Sequence, residues 1–183
     1  MIHFPVQSIE NAPDGSKAAL GGLEQAFGFL PNVAGAMAGS PVLLNSLAAV
    51  FANVHGGSFS ERQIQILLLT NAVTNAAEWA VAFHSFLALS AGVSTAEVDA
   101  IREGRLPAAP GDAALSGLAR GLISKRGRID EDDVVQFLQA GFDQRHLLEV
   151  IAVVAASAMT NYTVNVTRPP LEQCFQQHAW PKV

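Results

Sequence analysis

Apolar positions recur at three- and four-residue intervals along nearly the whole chain, the rhythm of one-sided helices, and no stretch alternates strictly enough to read as a strand. Ala19, Leu20, Leu23 and Phe27 mark a first amphipathic segment over Ser16–Phe27, which follows Asp14-Gly15 and stops at Gly28. Pro31 starts a short helix through Met37. Ser40-Pro41 then places an N-cap and a first-turn proline ahead of Val42–Val54, and Gly56-Gly57 ends that element. Ser60 with Gln63 has the spacing of a capping box, in which side chain and backbone at the helix start bond each other reciprocally, and a strongly apolar helix runs from there to about Thr74. Asn75 breaks it. The next helix, Ala76–Ser90, ends at Gly92, and Ser94 with Glu97 repeats the capping pattern for a short helix to Glu103. Leu106–Gly111, carrying Pro107 and Pro110, reads as a surface linker. Beyond it come Asp112–Ser124 and Asp130–Ala140, the latter with an acidic first turn that suits the helix dipole. Asp143 caps a long core helix reaching about Val164, and Arg168-Pro169-Pro170 redirects the chain into a short tail helix.

This string of elements predicts one all-α domain over residues 1–183, an orthogonal bundle of about eight or nine helices. Two stretches, residues 42–74 and 113–160, share a faint hydrophobic rhythm, as an old duplication would leave. Composition sharpens the picture: half of the 183 residues are hydrophobic and 15% are charged, which supplies a core, excludes general disorder and leaves apolar helix faces that suit a homo-oligomer. Eleven basic residues against sixteen acidic ones, scattered rather than gathered in a stripe, argue against nucleic acid or an anionic membrane as partner. Met1-Ile2-His3-Phe4-Pro5 has no basic region leading into an apolar run, so a cytoplasmic setting is the default expectation. The apolar runs Ile64–Val73 and Leu147–Met159 are interrupted by Gln65, Asn71 and Glu149 and read as buried helices rather than membrane spans. The Asn-x-Thr triplets at Asn161 and Asn165 would matter only in a secreted chain.

The stretch richest in chemistry is Asn75-Ala76-Ala77-Glu78-Trp79-Ala80-Val81-Ala82-Phe83-His84. On a helical wheel Ala77, Ala80 and His84 share one face, so an imidazole sits beside two methyl-sized side chains with room near its ring. That is what a small cavity with one titratable group needs. The plainer reading is an interior histidine bonded to a neighbouring carbonyl, with the two alanines permitting close helix packing. Trp79, Phe83 and Phe86 fall on another side, as core or subunit contacts. Glu78 lies about 120° from His84 and serves either as an early-helix acid favoured by the dipole or as a proton acceptor in a cleft.

The spacing resembles the carboxymuconolactone decarboxylase and alkylhydroperoxidase D superfamily, whose redox members carry a glutamate, a Cys-x-x-Cys pair and a following histidine. His84 matches that histidine, whereas the two cysteines fall on Ala77 and Ala80 and the glutamate on Gln65. Further segments resemble the same family in order: Phe27-Gly28-Phe29-Leu30-Pro31-Asn32 with Met37-Ala38-Gly39-Ser40-Pro41, then Ala88-Leu89-Ser90-Ala91-Gly92-Val93-Ser94 through Ile101-Arg102-Glu103-Gly104, then Met159-Thr160-Asn161-Tyr162 with Pro170-Leu171. The resemblance implies the alkylhydroperoxidase D-like helical bundle. It also implies, for thiol-bearing members, attack of a cysteine thiolate on a peroxide, a step that alanine at both positions cannot perform. The single cysteine, Cys174, stands far off in the tail and reads as a small apolar side chain.

The decarboxylase branch, which by the same resemblance works on a small organic acid or lactone without redox cysteines, suits the residues better. His84 would transfer the proton and Gln65 would hold a substrate carboxylate or a water, since an amide cannot relay a proton. Glu78 completes the expected catalytic set, with Ala77 and Ala80 lining the cavity at the lost thiol positions. The rival readings are a non-catalytic ligand-binding or structural oligomer and the peroxidase that resemblance alone would name. His55, ahead of Gly56-Gly57, is placed on a loop near the cavity mouth, and His146 and His178 show no ligand spacing. No metal is expected, and without a phosphate loop, a Gly-x-Ser-x-Gly elbow or a dinucleotide fingerprint no cofactor is either. Consumption of hydrogen peroxide with a thiol reductant is expected to stay at the protein-free background in both the native chain and Cys174→Ser; turnover clearly above it would overturn the thiol-free reading.

Overall fold

The computed structural model describes residues 3–180, so Met1 and Ile2, on which part of the leader reading rests, lie outside the described residues. Within these residues the chain forms nine α-helices and one 3₁₀ turn, with no strand. They are α1 (Asp14–Phe27), α2 (Asn32–Met37), α3 (Pro41–His55), α4 (Glu61–Thr74), α5 (Glu78–Ser90), α6 (Thr95–Arg102), α7 (Pro110–Ser124), α8 (Glu131–Gln139), α9 (Gln144–Thr167) and the turn Gln173–His178.

Local chemistry explains most boundaries. Ser40 accepts from Leu43 N ahead of Pro41, and capping boxes open α4 at Ser60/Gln63 and α6 at Ser94/Glu97. Of the boundaries that differ from expectation, three have a local cause. Helix α5 starts at Glu78 rather than Ala76, because Ala76 turns through the left-handed region (φ 49°) and Ala77 becomes the N-cap, its N–H bonded to Ala72 O. Helix α7 starts at Pro110, whose fixed φ suits a first turn, so the expected linker is shorter. Helix α9 runs on to Thr167 before Arg168 (φ 48°) terminates it.

Helix α4 is the axis of the bundle. Every residue from Ile64 to Ala72 is buried, since α5, α6, α7 and α9 pack around it. Helix α9 packs against α2, α3, α4, α5 and α7, and is long and apolar enough to cross a membrane by length and composition. It nevertheless has two faces: Val150, Val153, Ala156 and Val164 are buried, while Leu148, Ile151, Tyr162 and Val166 are exposed. Asn161, which opens one Asn-x-Thr triplet, lies on the buried side.

Arg62 ties three helices together. From α4 it donates two bonds to Asp112 of α7, at 2.8 and 2.7 Å, and one at 3.1 Å to Glu97 of α6. Asp112 is only 6% exposed, so removing the guanidinium strands a carboxylate in the interior. Arg62→Ala is expected to lower unfolding free energy by about 3 kcal/mol in urea titration, with Arg62→Met/Asp112→Leu costing less than the single variant.

Candidate functional site

Helices α1, α3, α4 and α5, with smaller contributions from α2 and α9, leave a cavity of about 550 Å³ between them. Helix α1 contributes the small side chains Ala19, Gly22 and Ala26, and α3 contributes Ala48, Phe51 and Ala52. Helix α4 supplies Gln65 and Leu68, and α5 supplies Trp79, Phe83 and His84. Aromatic contacts stiffen the α5 wall. Trp79 stacks on Phe83 with ring centres 4.9 Å apart, and Phe83 meets Phe27 edge-on at 5.5 Å. The tail braces this wall from behind: Phe175 packs edge-on against Phe83, and the Glu172 carboxylate accepts from Trp79 Nε1 at 2.8 Å and from Asn32 N at 2.6 Å.

One wall is polar and ordered. His84 Nδ1 lies 3.0 Å from Gln65 Oε1, Gln65 Nε2 donates to Glu61 Oε1 at 2.6 Å, and His55 Nδ1 lies 3.0 Å from Glu61 Oε2. Glu61 and Gln65 are one turn apart on α4, which stacks their side chains on one face. The chain of bonds runs outward, from His84 and Gln65 at 3% and 2% exposed to His55 and Glu61, whose side chains are 40% and 55% exposed. Its direction is fixed by chemistry. A carboxylate only accepts, so the Gln65 amide turns its N–H toward Glu61 and its carbonyl toward His84. His84 Nδ1 must therefore carry the proton, and Nε2 is left with a lone pair that no other group bonds among the described residues. Burial, with a smaller contribution from the charge of His55, pushes the His84 imidazole down to about 3, so the ring is neutral at ordinary pH.

No protein-family model matches the chain, and no curated protein sequence matches it. Solved structures do. A peroxidase-related protein with an alkylhydroperoxidase AhpD core, from Ralstonia eutropha JMP134, aligns with a TM-score of 0.83 at 16% identity over 94% of this chain and 93% of that one. The chain has the alkylhydroperoxidase D-like fold. A cysteine-to-alanine variant of the debrominase Bmp8, in complex with 2,3,4-tribromopyrrole, aligns with a TM-score of 0.77 at 16% identity over 97% and 95% of the two chains. A peroxidase-related protein from Silicibacter sp. TM1040 aligns with a TM-score of 0.77 at 17% identity over 95% and 92%.

Within this alkylhydroperoxidase D-like bundle the expected site residues separate. His84 and Gln65 meet directly. Glu78 is exposed in the first turn of α5 and does not line the cavity, a correction to its expected place in the catalytic set; at that position it serves the helix dipole. Ala77 and Ala80 are fully buried and likewise do not line the cavity. The open space lies among α1, α3 and the outward faces of α4 and α5 instead. His55 sits on the last turn of α3, not on a loop, and belongs to the lining. Glu61 went unremarked in the sequence; its spacing of four from Gln65 was the available signal. Cys174 is exposed on the tail and does not reach the cavity, while His146 pairs with Asp143 at the start of α9.

The histidine leaves a signature in stability. Between about pH 6.5 and about 3 the unfolded chain binds a proton on this ring that the folded chain refuses, so stability falls as pH falls through that window. It is fully present above the unfolded value. Urea titrations across the window are expected to show a slope of up to about 1.4 kcal/mol per pH unit in the native chain that is missing from His84→Gln.

Proposed function

We propose that the chain binds a small, uncharged, mostly apolar ring compound in this cavity and that His84 moves a proton on it, with no cysteine involved. The observation that carries the reading is the His84 Nε2 lone pair on the wall of an apolar cavity, with its tautomer held by Gln65. An imidazole whose second nitrogen is bonded to an amide oxygen is oriented as a general base is in a Cys-His-Asn site. When a C–H next to a carbonyl breaks, its proton passes to Nε2 and the electron pair to the carbonyl oxygen. The enolate then supplies the negative neighbour that burial denies the imidazolium, and return of the proton to another carbon shifts the double bond.

The charge of the lining narrows the substrate class. Among the described residues no lysine or arginine lines the cavity, whereas Glu61 does, which favours a lactone or another neutral ring over a free organic acid. The tribromopyrrole held by the debrominase variant of the same fold supports a compound of that size and character. The reading includes membership, without the dithiol, of the carboxymuconolactone decarboxylase and alkylhydroperoxidase D superfamily, a cytoplasmic setting, and self-association through apolar faces such as the exposed side of α9. A binding protein without chemistry is the second reading, favoured by the low basicity of the buried imidazole.

Solvent exchange separates the two. In D₂O, incorporation of deuterium into hydroxyl-bearing β,γ-unsaturated lactones followed by NMR is expected with the native chain and with Cys174→Ser, and is expected to fall about a hundredfold or more in His84→Ala. Equal exchange in the native chain and His84→Ala would remove His84 from the mechanism. Thermal stabilisation by the same compounds without exchange would leave the binding reading.

A further inference from the structure

We infer that the cavity selects ring compounds presenting an N–H or O–H donor, and that Glu61 sets this preference from outside the contact by fixing the His84 tautomer through Gln65. The inference rests on the reading of the cavity as a ligand site, and it holds whether or not proton transfer follows.

The hydrogen-bonding groups of the lining lead to it one by one. Gln65 Oε1 is taken by His84, and one N–H of its amide is taken by Glu61. The two oxygens of Glu61 are taken by Gln65 and His55. The Thr160 hydroxyl lines the cavity and can turn to donate or accept. Besides the second N–H of the Gln65 amide and the second nitrogen of the half-exposed His55 ring, what remains is the lone pair of His84 Nε2, the acceptor on the most buried ring of the wall. A ligand that offers only acceptors leaves that lone pair dehydrated and unpaired, whereas an N–H or O–H satisfies it, and unpaired buried groups are what polar sites discriminate against most strongly. An already ionised ligand fares worse, since Glu61 lies on the same wall and no lysine or arginine lines the cavity among the described residues.

Shape points to a flat molecule. The lining combines the small residues Ala19, Gly22 and Ala26 of α1 with the stacked rings of Trp79 and Phe83, on whose faces a planar ring can stack. Together the lining describes a neutral phenol, azole or enol: planar, largely apolar and weakly acidic.

Glu61 enters as a positioning residue. Without its carboxylate the Gln65 amide is free to turn over, presenting N–H to His84. The ring must then accept at Nδ1 and carry its proton on Nε2, so the cavity would offer a donor where it had offered an acceptor. Glu61 is more than half exposed, which makes its replacement tolerable to the fold.

The test pairs two probes that differ by one hydrogen-bond donor, 4-chlorophenol and its methyl ether 4-chloroanisole. Calorimetric titration of the native chain is expected to show the phenol binding about tenfold more tightly. In Glu61→Leu the preference is expected to vanish or reverse, and in Glu61→Gln, which keeps an acceptor oxygen, to return at least in part. Nitrogen-15 NMR of His84 supplies a readout that a merely structural role would not move: protonated Nδ1 and bare Nε2 in the native chain, and mixed or exchanged tautomers in Glu61→Leu. Equal affinity for the two probes in the native chain overturns the donor preference and leaves the cavity standing as a site. Failure of both probes to bind overturns the ligand-site reading itself. A preference and an Nδ1–H tautomer that both survive Glu61→Leu overturn the role of Glu61.

Discussion

An amide placed between an imidazole and a carboxylate satisfies both in only one orientation, and that constraint organises the polar side of this protein. Glu61 accepts, so Gln65 must point its N–H outward and its carbonyl inward, and His84 must answer with a proton on Nδ1. A carboxylate at residue 65 would pair with the histidine by charge. Here the negative group stands one helical turn nearer the surface, and an uncharged amide touches the ring. The buried imidazole has no countercharge bonded to it, in keeping with its low basicity.

Much of the bundle was legible because its helix ends are written in local chemistry. Ser40-Pro41, Ser60 with Gln63 and Ser94 with Glu97 mark boundaries by hydrogen bonds that span three residues, and sequence shows such bonds directly. The start of α5 was less legible, since Ala76 adopts a left-handed conformation that alanine seldom takes and that the turn from α4 into α5 requires.

The site was legible in its pair and not in its surroundings. His84 and Gln65 are nineteen residues apart and were brought together only by the family resemblance, whereas their contact depends on how α4 and α5 cross. The two alanines do not border the hollow: both are fully buried outside its lining, and small side chains leave space only where the surrounding packing stays open. The hollow opened instead beside α1, where Ala19 had been read as part of an amphipathic stripe and Gly22 and Ala26 had carried no signal. His55 and Glu61, six residues apart on either side of the short connection, become partners because that connection brings the end of α3 beside the start of α4.

The bond from Trp79 to Glu172 joins positions 93 residues apart in the chain. During synthesis on a ribosome, α1, α3, α4 and α5 emerge long before that carboxylate does, so the aromatic wall is built early and braced late. A nascent chain therefore passes through an interval in which the aromatic wall of the cavity lacks its brace, until the tail arrives.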